Sequence, residues 1–560
     1  MISLLQKRRY GVVLLLAVYL VIRCFYLDAV PRWDAASYWG ALMQAVHSTK
    51  TLQHASDFPA MVLKEWNAYG HPSMGYYSIL VLGQLIDFPN QFILNFTNIL
   101  LAMFSILCVY KILLWFFPDR KHYPEVLLVT AAYAFEPLFF GCSIYLNTDF
   151  PVLVFFTAAL ASLLYGHYGF FAIASIFMVF SKDPGIIYWA SLVGGLGLYV
   201  LWFLVKELRN GRFPPIGEWG PPSHYHNGQP LKLWPVMYRV FCLMLPAIAF
   251  IWFSVAREGV MWENDTGLKW DSNGWNCFGF NKRVMANRAG EIFVLDFHWI
   301  PLAVALVVFL IWIGRYIERK NNIPIENSVE PRGIAGNSKV QVIDKNMVDP
   351  SIEDTNTTEI SVHNSNHVAG HKSFGETDSQ EINRNKKPPT EVENRWWGML
   401  PIFFAFATFL AFNMTYITFI IPRYVVLSGF FLLMCAIFAM HFGIHSQRVR
   451  ISIMSVILVL FIAQTFRTVD PLSKLAFGTA PFNDHEILQI DSPGEAVGNG
   501  FVYNAEFSAV DKLFNMMAKA IPLRPDTQII AWETDPWYPW FFGPLRLSVR
   551  WIGGTPFALM

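Results

Sequence analysis

The sequence predicts a polytopic α-helical membrane protein with about 11 transmembrane helices, outer juxtamembrane helices and a small mixed α/β outer C-terminal domain. Hydrophobic residues make up 54% of the chain and charged residues only 15%, whereas a soluble domain carries about 25% charged residues. Aromatic residues reach 16%, which is typical of lipid-facing helices with aromatic belts at the interfaces. Long apolar runs recur along the chain, and each has the length of a membrane span.

The apolar runs define the predicted spans, because a spanning helix needs roughly 17–25 apolar residues. The first run follows Lys7, Arg8 and Arg9 and has no small-residue cleavage site after it. We therefore interpret it as a retained first span and not as a cleaved signal peptide. The predicted spans are 10–28, 92–117, 125–146, 149–165, 168–182, 186–205, 233–255, 296–314, 396–417, 424–444 and 451–467.

Basic residues predict the sidedness of these spans, since cytoplasmic loops carry an excess of Lys and Arg. With the N-terminus in the cytoplasm, five of the six cytoplasmic segments carry basic clusters, and the exception is the tight turn at 166–169. The odd number of spans then places the C-terminus outside. The clusters after the N-terminal one are Arg120, Lys121 and His122; Lys206, Arg209 and Arg212; Arg315, Arg319 and Lys320; and Arg448 and Arg450.

One apolar segment, 71–88, does not fit this alternation. It carries Pro72, Gly75, Gly83 and Gln84, and counting it as a span would invert every later loop. The segment is therefore predicted to be a re-entrant or surface helix at the outer interface. An ordinary span with a poor charge pattern is the alternative.

The polar regions divide the chain into four parts. The segment 321–394 is rich in Asn, Ser, Glu and Lys and has Phe374 as its only aromatic residue, so it cannot bury enough apolar surface to fold and is predicted to be disordered. The C-terminal region holds enough Trp, Tyr and Phe for a small core. The parts are 1–320, a transmembrane module with outer loops 29–91 and 256–295; 321–394, a cytoplasmic loop; 395–467, further spans; and 468–560, an outer domain.

Five polar motifs lie at the predicted outer ends of spans, where ionisable groups are costly unless they are used. They contain two carboxylates that could act as bases and three cations or imidazoles that could hold a phosphate. The motifs are Arg32-Trp33-Asp34, Tyr69-Gly70-His71-Pro72, Asn147-Thr148-Asp149, Ser181-Lys182-Asp183-Pro184-Gly185 and Pro422-Arg423-Tyr424.

Each motif also has a structural interpretation. Asp34 could be a solvated helix end, His71 a helix-start residue before a proline, and Asp149 a helix cap. Lys182 could snorkel to the interface, and Arg423 could anchor its span there. Together, however, carboxylates and phosphate-binding groups on one face favour a phosphorylated substrate whose tail is dissolved in the membrane.

The order of these motifs resembles the GT-C superfamily of membrane glycosyltransferases, and within it the protein O-mannosyltransferases and the lipid A aminoarabinose transferases. An early acidic residue in the first outer loop is matched by Asp34, and a His-Pro-Pro or Lys-Pro-Pro element by His71-Pro72-Ser73. The later elements are matched by Thr148-Asp149-Phe150-Pro151, by Ser181-Lys182-Asp183-Pro184-Gly185 and by Arg423-Tyr424. The resemblance covers roughly residues 10–210, and beyond them it extends only to topology.

The resemblance departs from the family pattern in three places. Asp34 lacks the acidic neighbour that is common in the mannosyltransferases, and Ser73 replaces the second proline. The C-terminal 93 residues, 468–560, match no known acceptor-binding domain. The base, the juxtamembrane element and the acceptor are therefore the least constrained parts of the comparison.

The resemblance implies an inverting transfer of a sugar from a polyprenyl-phosphate donor to a glycan, lipid or protein acceptor on the outer face. The module 1–320 would be catalytic, with Asp34 as general base and Asp149 orienting the sugar or the acceptor. His71, Lys182 and Arg423 would stabilise the leaving phosphate. Arg32, Asp183 and Tyr424 are assigned to substrate binding on the same grounds.

Other functions and partners follow from the same residues. A lipid or glycan transporter or flippase is the main alternative, favoured by Glu136 inside a span, and a membrane glycan polymerase or ligase is the second. No cofactor is predicted, and a divalent metal is left open because no His, Cys and Asp cluster shows ligand spacing. The net charge of +1 argues against a nucleic-acid partner. Glycosylation sequons are few, with Asn264 alone in an outer loop, which favours a bacterial plasma membrane.

Overall fold

The computed structural model describes residues 8–27, 29, 34–67, 72–87, 90–144, 146–224, 231–256, 270–274, 276–321, 395–418, 420–468, 470–478 and 487–488. Arg32, His71, the loop 321–394 beyond Asn321 and most of the region 468–560 lie outside the described residues, so the predictions made for them stay predictions. Two compact units are distinguished, Met1–Gly314 with Glu391–Met560, and Arg315–Thr390. Of the second unit only Arg315–Asn321, the last turns of a helix, are described.

The described part of the chain is almost entirely helical. Every predicted span coincides with one helix or with a pair of helices. The helices are α1 Arg8–Cys24, α2 Asp34–Lys50, α3 Phe58–Glu65, α4 Met74–Gln84, α5 Gln91–Phe116, α6 Tyr123–Ala134, α7 Pro137–Ile144, α8 Asp149–Leu164, α9 Tyr168–Val179, α10 Pro184–Arg209, α11 Leu233–Ala256, α12 Lys282–Phe293, α13 Trp299–Asn321, α14 Met399–Thr415, α15 Ser428–Gly443, α16 Gln447–Phe466 and α17 Pro471–Phe477.

Seven of these helical segments are long and apolar enough to cross a membrane, and the bent pair Arg120–Ala134 with Pro137–Ile144 is an eighth candidate. Within α11 and the apolar part of α13, only 17% and 11% of the most apolar window is buried inside the protein. Such large exposed apolar faces need a lipid environment, so the chain is a helical membrane protein. Shorter apolar helices form Tyr10–Cys24, α8 and α9, and the count of eleven spans stays a prediction.

The break between α6 and α7 has a local chemical cause. Pro137 has no backbone N–H and cannot continue α6, and the two helices meet at 50°. Glu136 caps the new helix, since its carboxylate accepts the backbone N–H groups of Leu138 at 3.1 Å and Phe139 at 2.6 Å. The predicted span 125–146 is thus a kinked helix pair.

The predicted outer loops contain four α-helices among their described residues. The apolar segment 71–88, predicted to be a re-entrant or surface helix, forms α4, whereas the apolar pattern did not locate α2 and α3 in the same loop or α12 in the loop 256–295. The 11 residues of α4 are too few to span a bilayer. This helix packs closely on the end of α9, where Gly75 N donates to Phe180 O at 2.7 Å.

A small two-stranded antiparallel sheet joins two segments that are far apart in the sequence. Strand β1, Cys277–Phe278, pairs antiparallel with β2, Tyr416–Ile417. It ties the segment before α12 to the end of α14. The residues that follow β2 lead into the turn Pro422–Val425, which begins the span Pro422–Gly443.

Charged residues lie at both ends of the bundle. At one end lie the start of α8 and the turn Pro422–Val425. At the other end, the buried Arg450 of α16 binds Glu125 of α6 through two 3.0 Å hydrogen bonds. Gln447 also donates to the carbonyl of Lys121. Two of the basic clusters predicted to face the cytoplasm therefore meet at one end of the bundle.

Candidate functional site

A buried ion pair joins two of the five polar motifs. Lys182 Nζ donates to both carboxylate oxygens of Asp149, at 2.7 and 2.8 Å. Both residues are 8% exposed. The ammonium of Lys182 thus lies inside the protein on a carboxylate, which disfavours its interpretation as a snorkelling lysine.

The start of α8 and the connection between α9 and α10 position Asp149 and Lys182. Asn147 Oδ1 accepts the backbone N–H groups of Asp149 at 3.0 Å and Phe150 at 2.7 Å, so Asn147 provides the side-chain cap at the start of α8. The Asp149 carboxylate is thereby left for Lys182, and Asp149 is not the cap of its helix. Lys182 lies in the short connection from α9 to α10, just before Pro184 begins α10.

The Arg423-Tyr424 motif lies against the same pair. Arg423 is 3% exposed, and its Nε is 3.7 Å from Asp149 Oδ2. The ring of Tyr424 lies under the ammonium of Lys182, 4.2 Å from Nζ to the ring centroid, a cation–π geometry. The guanidinium of Arg423 is buried beside a carboxylate, which disfavours its interpretation as an interfacial anchor.

A third cation joins this cluster, and the sequence reasoning missed it. Arg288 of α12 is 1% exposed, and its guanidinium carbon is 5.4 Å from the Tyr424 ring centroid. Its Nη1 donates to Glu291 Oε2 at 2.6 Å. The spacing of Arg288 and Glu291, three residues apart, was the available signal, but it lay in a segment interpreted only as a loop.

The groups around Lys182 favour its positively charged form. Burial alone would lower the pKa of Lys182, but the Asp149 carboxylate and the hydroxyls of Tyr424 and Tyr38 outweigh it, so the pKa lies above its usual value. Lys182 is therefore a cation at neutral pH. Burial raises the pKa of Tyr416, and the nearby Asp183 carboxylate raises it further, which places Asp183 beside the same cluster.

Asp34 is the first residue of α2, one helical turn before Tyr38. Tyr38 influences Lys182 electrostatically, and its carbonyl accepts the Tyr77 hydroxyl at 2.8 Å. The start of α2 thus approaches the cluster formed by Asp149, Lys182 and Arg423. Arg32 and His71 lie outside the described residues.

Glu136, the residue that favoured a transporter, has structural partners. Besides capping α7, its Oε1 lies 2.9 Å from His298 Nε2. Its relative exposure is 1%. Two backbone N–H groups and an imidazole hold this carboxylate, so Glu136 has a structural role in the bundle.

A group of potential metal ligands was overlooked at the sequence level. His122, Glu125 and His441 offer ligand atoms that lie within 4.8 Å of one another. His122 and Glu125 are three residues apart, but His441 comes from the distant α15, so no local spacing could have shown the complete group. The group lies at the opposite end of the span Pro422–Gly443 from Arg423, and it is not part of the Asp149 cluster.

Comparison of the chain with family models, with curated proteins and with solved structures finds no match.

Proposed function

We propose that this protein is an inverting glycosyltransferase that moves a sugar from a polyprenyl-phosphate donor to an acceptor on the outer face of the membrane. The observation that supports it best is the buried cluster of Asp149, Lys182, Arg423 and Tyr424 at one end of an apolar bundle. The proposal includes eleven spans and a bacterial plasma membrane, with the N-terminus in the cytoplasm.

The reaction would proceed in one displacement. The nucleophilic oxygen or nitrogen of the acceptor attacks the anomeric carbon, and the bond from that carbon to the phosphate oxygen breaks with inversion. Asp34 accepts the proton of the nucleophile, while the electron pair of the broken bond leaves on the polyprenyl-phosphate. Donors fixed where negative charge develops stabilise such a transition state, and Lys182 and Arg423 suit that task.

The geometry suggests a more specific role for Asp149 than orienting the sugar. Both oxygens of this carboxylate already accept hydrogen bonds from Lys182, so they are engaged inside the protein and are not free to take a proton from an acceptor. Asp149 instead fixes the position and charge of Lys182, which makes it a positioning residue. Asp34, at the start of a different helix, is left as the candidate base.

The decisive assay is donor consumption by purified protein in detergent, where sidedness plays no part. The donor would be identified first, by mass spectrometry of lipids that copurify with the chain. Asp34→Asn keeps the size of the side chain and removes the base, so transfer should fall about 10²–10⁴-fold, with donor binding retained.

Asp57→Asn is the matched control, since Asp57 is an exposed aspartate of the same predicted outer loop. It should leave donor consumption unchanged. If Asp34→Asn consumed donor as fast as the unmodified protein, Asp34 would be a solvated helix end and not the base. If no polyprenyl-phosphate sugar were consumed by any variant, the proposed activity itself would be wrong.

A further inference from the structure

A cavity of about 440 Å³ lies at the bundle end opposite the Asp149 cluster. The span Pro422–Gly443 has 22 residues, and at ~1.5 Å per residue it separates the two ends by about 30 Å. The volume is within the range of small-molecule sites. We call it the basic pocket; its lining residues are Lys121, His122, His441, Ile444, His445, Gln447 and Arg450.

The lining of the basic pocket contains five basic side chains and no acidic one. The nearest buried carboxylate, Glu125, lies beneath it and is fully buried. Arg450 binds both oxygens of Glu125 at 3.0 Å, and His441 Nε2 lies 2.8 Å from one of them. The negative charge of Glu125 is therefore compensated by Arg450 and His441 inside the protein.

Lys121 and His445 of the pocket are exposed, whereas Arg450 is buried. Lys121 is 67% exposed at its side chain and forms an exposed pair with Asp119 at 3.6 Å, a contact that contributes little energy. His445 is exposed. The ring of His441 stacks on Phe117 at 4.0 Å and lies 4.8 Å from that of His122, so two imidazoles are held at fixed positions in the wall.

A cation fits this pocket less well than an anion does. His122, Glu125 and His441 are close enough to bind a metal, but a metal ion would lie beside the Arg450 guanidinium that already neutralises Glu125. Like charges at such distances repel strongly. An anion would instead meet an ammonium and imidazoles, which donate hydrogen bonds to phosphate oxygens.

We propose that the basic pocket binds a phosphate-type anion. Its source is either the headgroup of an anionic lipid, since the pocket lies at the end of membrane-length helices, or a soluble phosphate. Lys121 and His445 supply the ligand contacts, whereas Arg450 acts as a structural support. This site is separate from the proposed transferase site and does not depend on its activity.

The test uses the full chain and two double variants. Lys121→Gln with His445→Gln removes exposed basic residues that line the pocket. Arg120→Gln with Arg448→Gln is the matched control, because both arginines are exposed neighbours at the same helix ends and neither lines the pocket. The control removes at least as much positive charge, so it separates the pocket from general surface charge.

Two measurements distinguish the sources. Native mass spectrometry would compare retention of phosphatidic acid with that of phosphatidylcholine, and thermal melting would follow titration with inorganic phosphate against chloride of equal ionic strength. We expect one probe to bind the unmodified protein and the control equally, and the pocket variant about fivefold more weakly. Lipid adducts alone would identify a headgroup, and a phosphate-dependent shift a soluble ligand.

Three outcomes would overturn the proposal. The first is that neither probe binds the unmodified protein. The second is that both double variants lose binding equally, which would indicate a general effect of surface charge. The third is that zinc raises the melting temperature of the unmodified protein but not that of His122→Gln with His441→Gln, without any response to phosphate, and the pocket would then be a metal site.

Discussion

At the scale of single residues, the buried Asp149–Lys182 pair is expected to contribute to the stability of the protein. Two charges taken out of water are costly unless each compensates the other. The lysine ammonium spans both carboxylate oxygens, and Arg423 lies at 3.7 Å from one of them. Removing one partner would leave the other charge buried with less compensation.

A double-mutant cycle tests this pair. Lys182→Met and Asp149→Asn should each destabilise the protein by about 3–5 kcal/mol, and the double variant by less than their sum, with a coupling of about 0.5–3 kcal/mol. Thermal melting in detergent measures these differences. Additive effects would show that the pair contributes no mutual stabilisation. If Lys182 contacts the donor phosphate, the double variant would be folded and inactive.

Asp296 is a second residue whose charge state has a measurable consequence. It has the left-handed backbone conformation, with φ 59°, and is fully buried. Burial, with smaller contributions from Glu136 and Asp470, raises the pKa of its carboxyl to about 7, against the lowering effects of His298 and of the hydrogen bond from Gln464. The folded protein then holds this proton more tightly than the unfolded chain does, so stability falls as pH rises from about 4 to about 7.

Asp296→Asn should therefore raise the melting temperature at pH 8 and reduce it little at pH 5. Asparagine tolerates the left-handed conformation, and its amide can still accept the hydrogen bond from Gln464, at 3.0 Å in the unmodified protein. Melting curves at both pH values measure the effect, with Asp57→Asn as the exposed control. An equal loss of stability at both pH values would mean that the charge of Asp296 is not what limits stability.

At the scale of elements, the turn between α8 and α9 is held by a buried histidine. Gly166 has φ +72°, which only glycine adopts readily. His224 Nε2 donates to the Leu164 carbonyl at 3.1 Å, and the Tyr168 hydroxyl donates to Nδ1 at 3.0 Å. Since burial lowers the pKa of His224, this arrangement corresponds at neutral pH to the neutral imidazole with the proton on Nε2.

The stability of this turn should depend on pH. Burial lowers the pKa of His224 to about 4, against the smaller raising effect of the Leu164 hydrogen bond. The unfolded chain binds this proton more readily between pH 4 and about 6.5, so the contribution of His224 falls as pH falls through that window. The difference in melting temperature between the unmodified protein and His224→Gln should shrink from pH 7 to pH 5. A constant difference would show that His224 does not titrate in this window.

The elements also show what the sequence could and could not predict. Apolar runs located α5, α10, α11 and α15 closely, because burial in lipid requires a long uninterrupted apolar segment. The pattern could not show α12, which is short and mostly polar. Arg288 was missed with it, since its contact with Tyr424 depends on tertiary packing between α12 and the turn before α15.

At the scale of the whole molecule, the clusters around Asp149 and around Arg450 lie at opposite ends of the span Pro422–Gly443. The motifs around Asp149, Lys182 and Arg423 were chosen for their shared predicted side, and the structure brings these three together. Grouping by side was informative because helices that cross a membrane bring alternate loops to the same surface. It could not assign hydrogen-bond partners, so the capping role of Asn147 went unnoticed.

The predicted sidedness of the two bundle ends can be tested by cysteine labelling. Arg283 is exposed on α12, the helix that carries Arg288 to the Asp149 cluster, and Ser446 is exposed beside the basic pocket. In a background in which the exposed Cys24 is replaced by serine, Arg283→Cys should react with a membrane-impermeant maleimide on intact cells. Ser446→Cys should react only after permeabilisation, because basic clusters are retained on the cytoplasmic side. Labelling of Ser446→Cys alone in intact cells would invert the topology and place the Asp149 cluster in the cytoplasm. Labelling of both without permeabilisation would show that the helices joining the two ends do not cross the membrane.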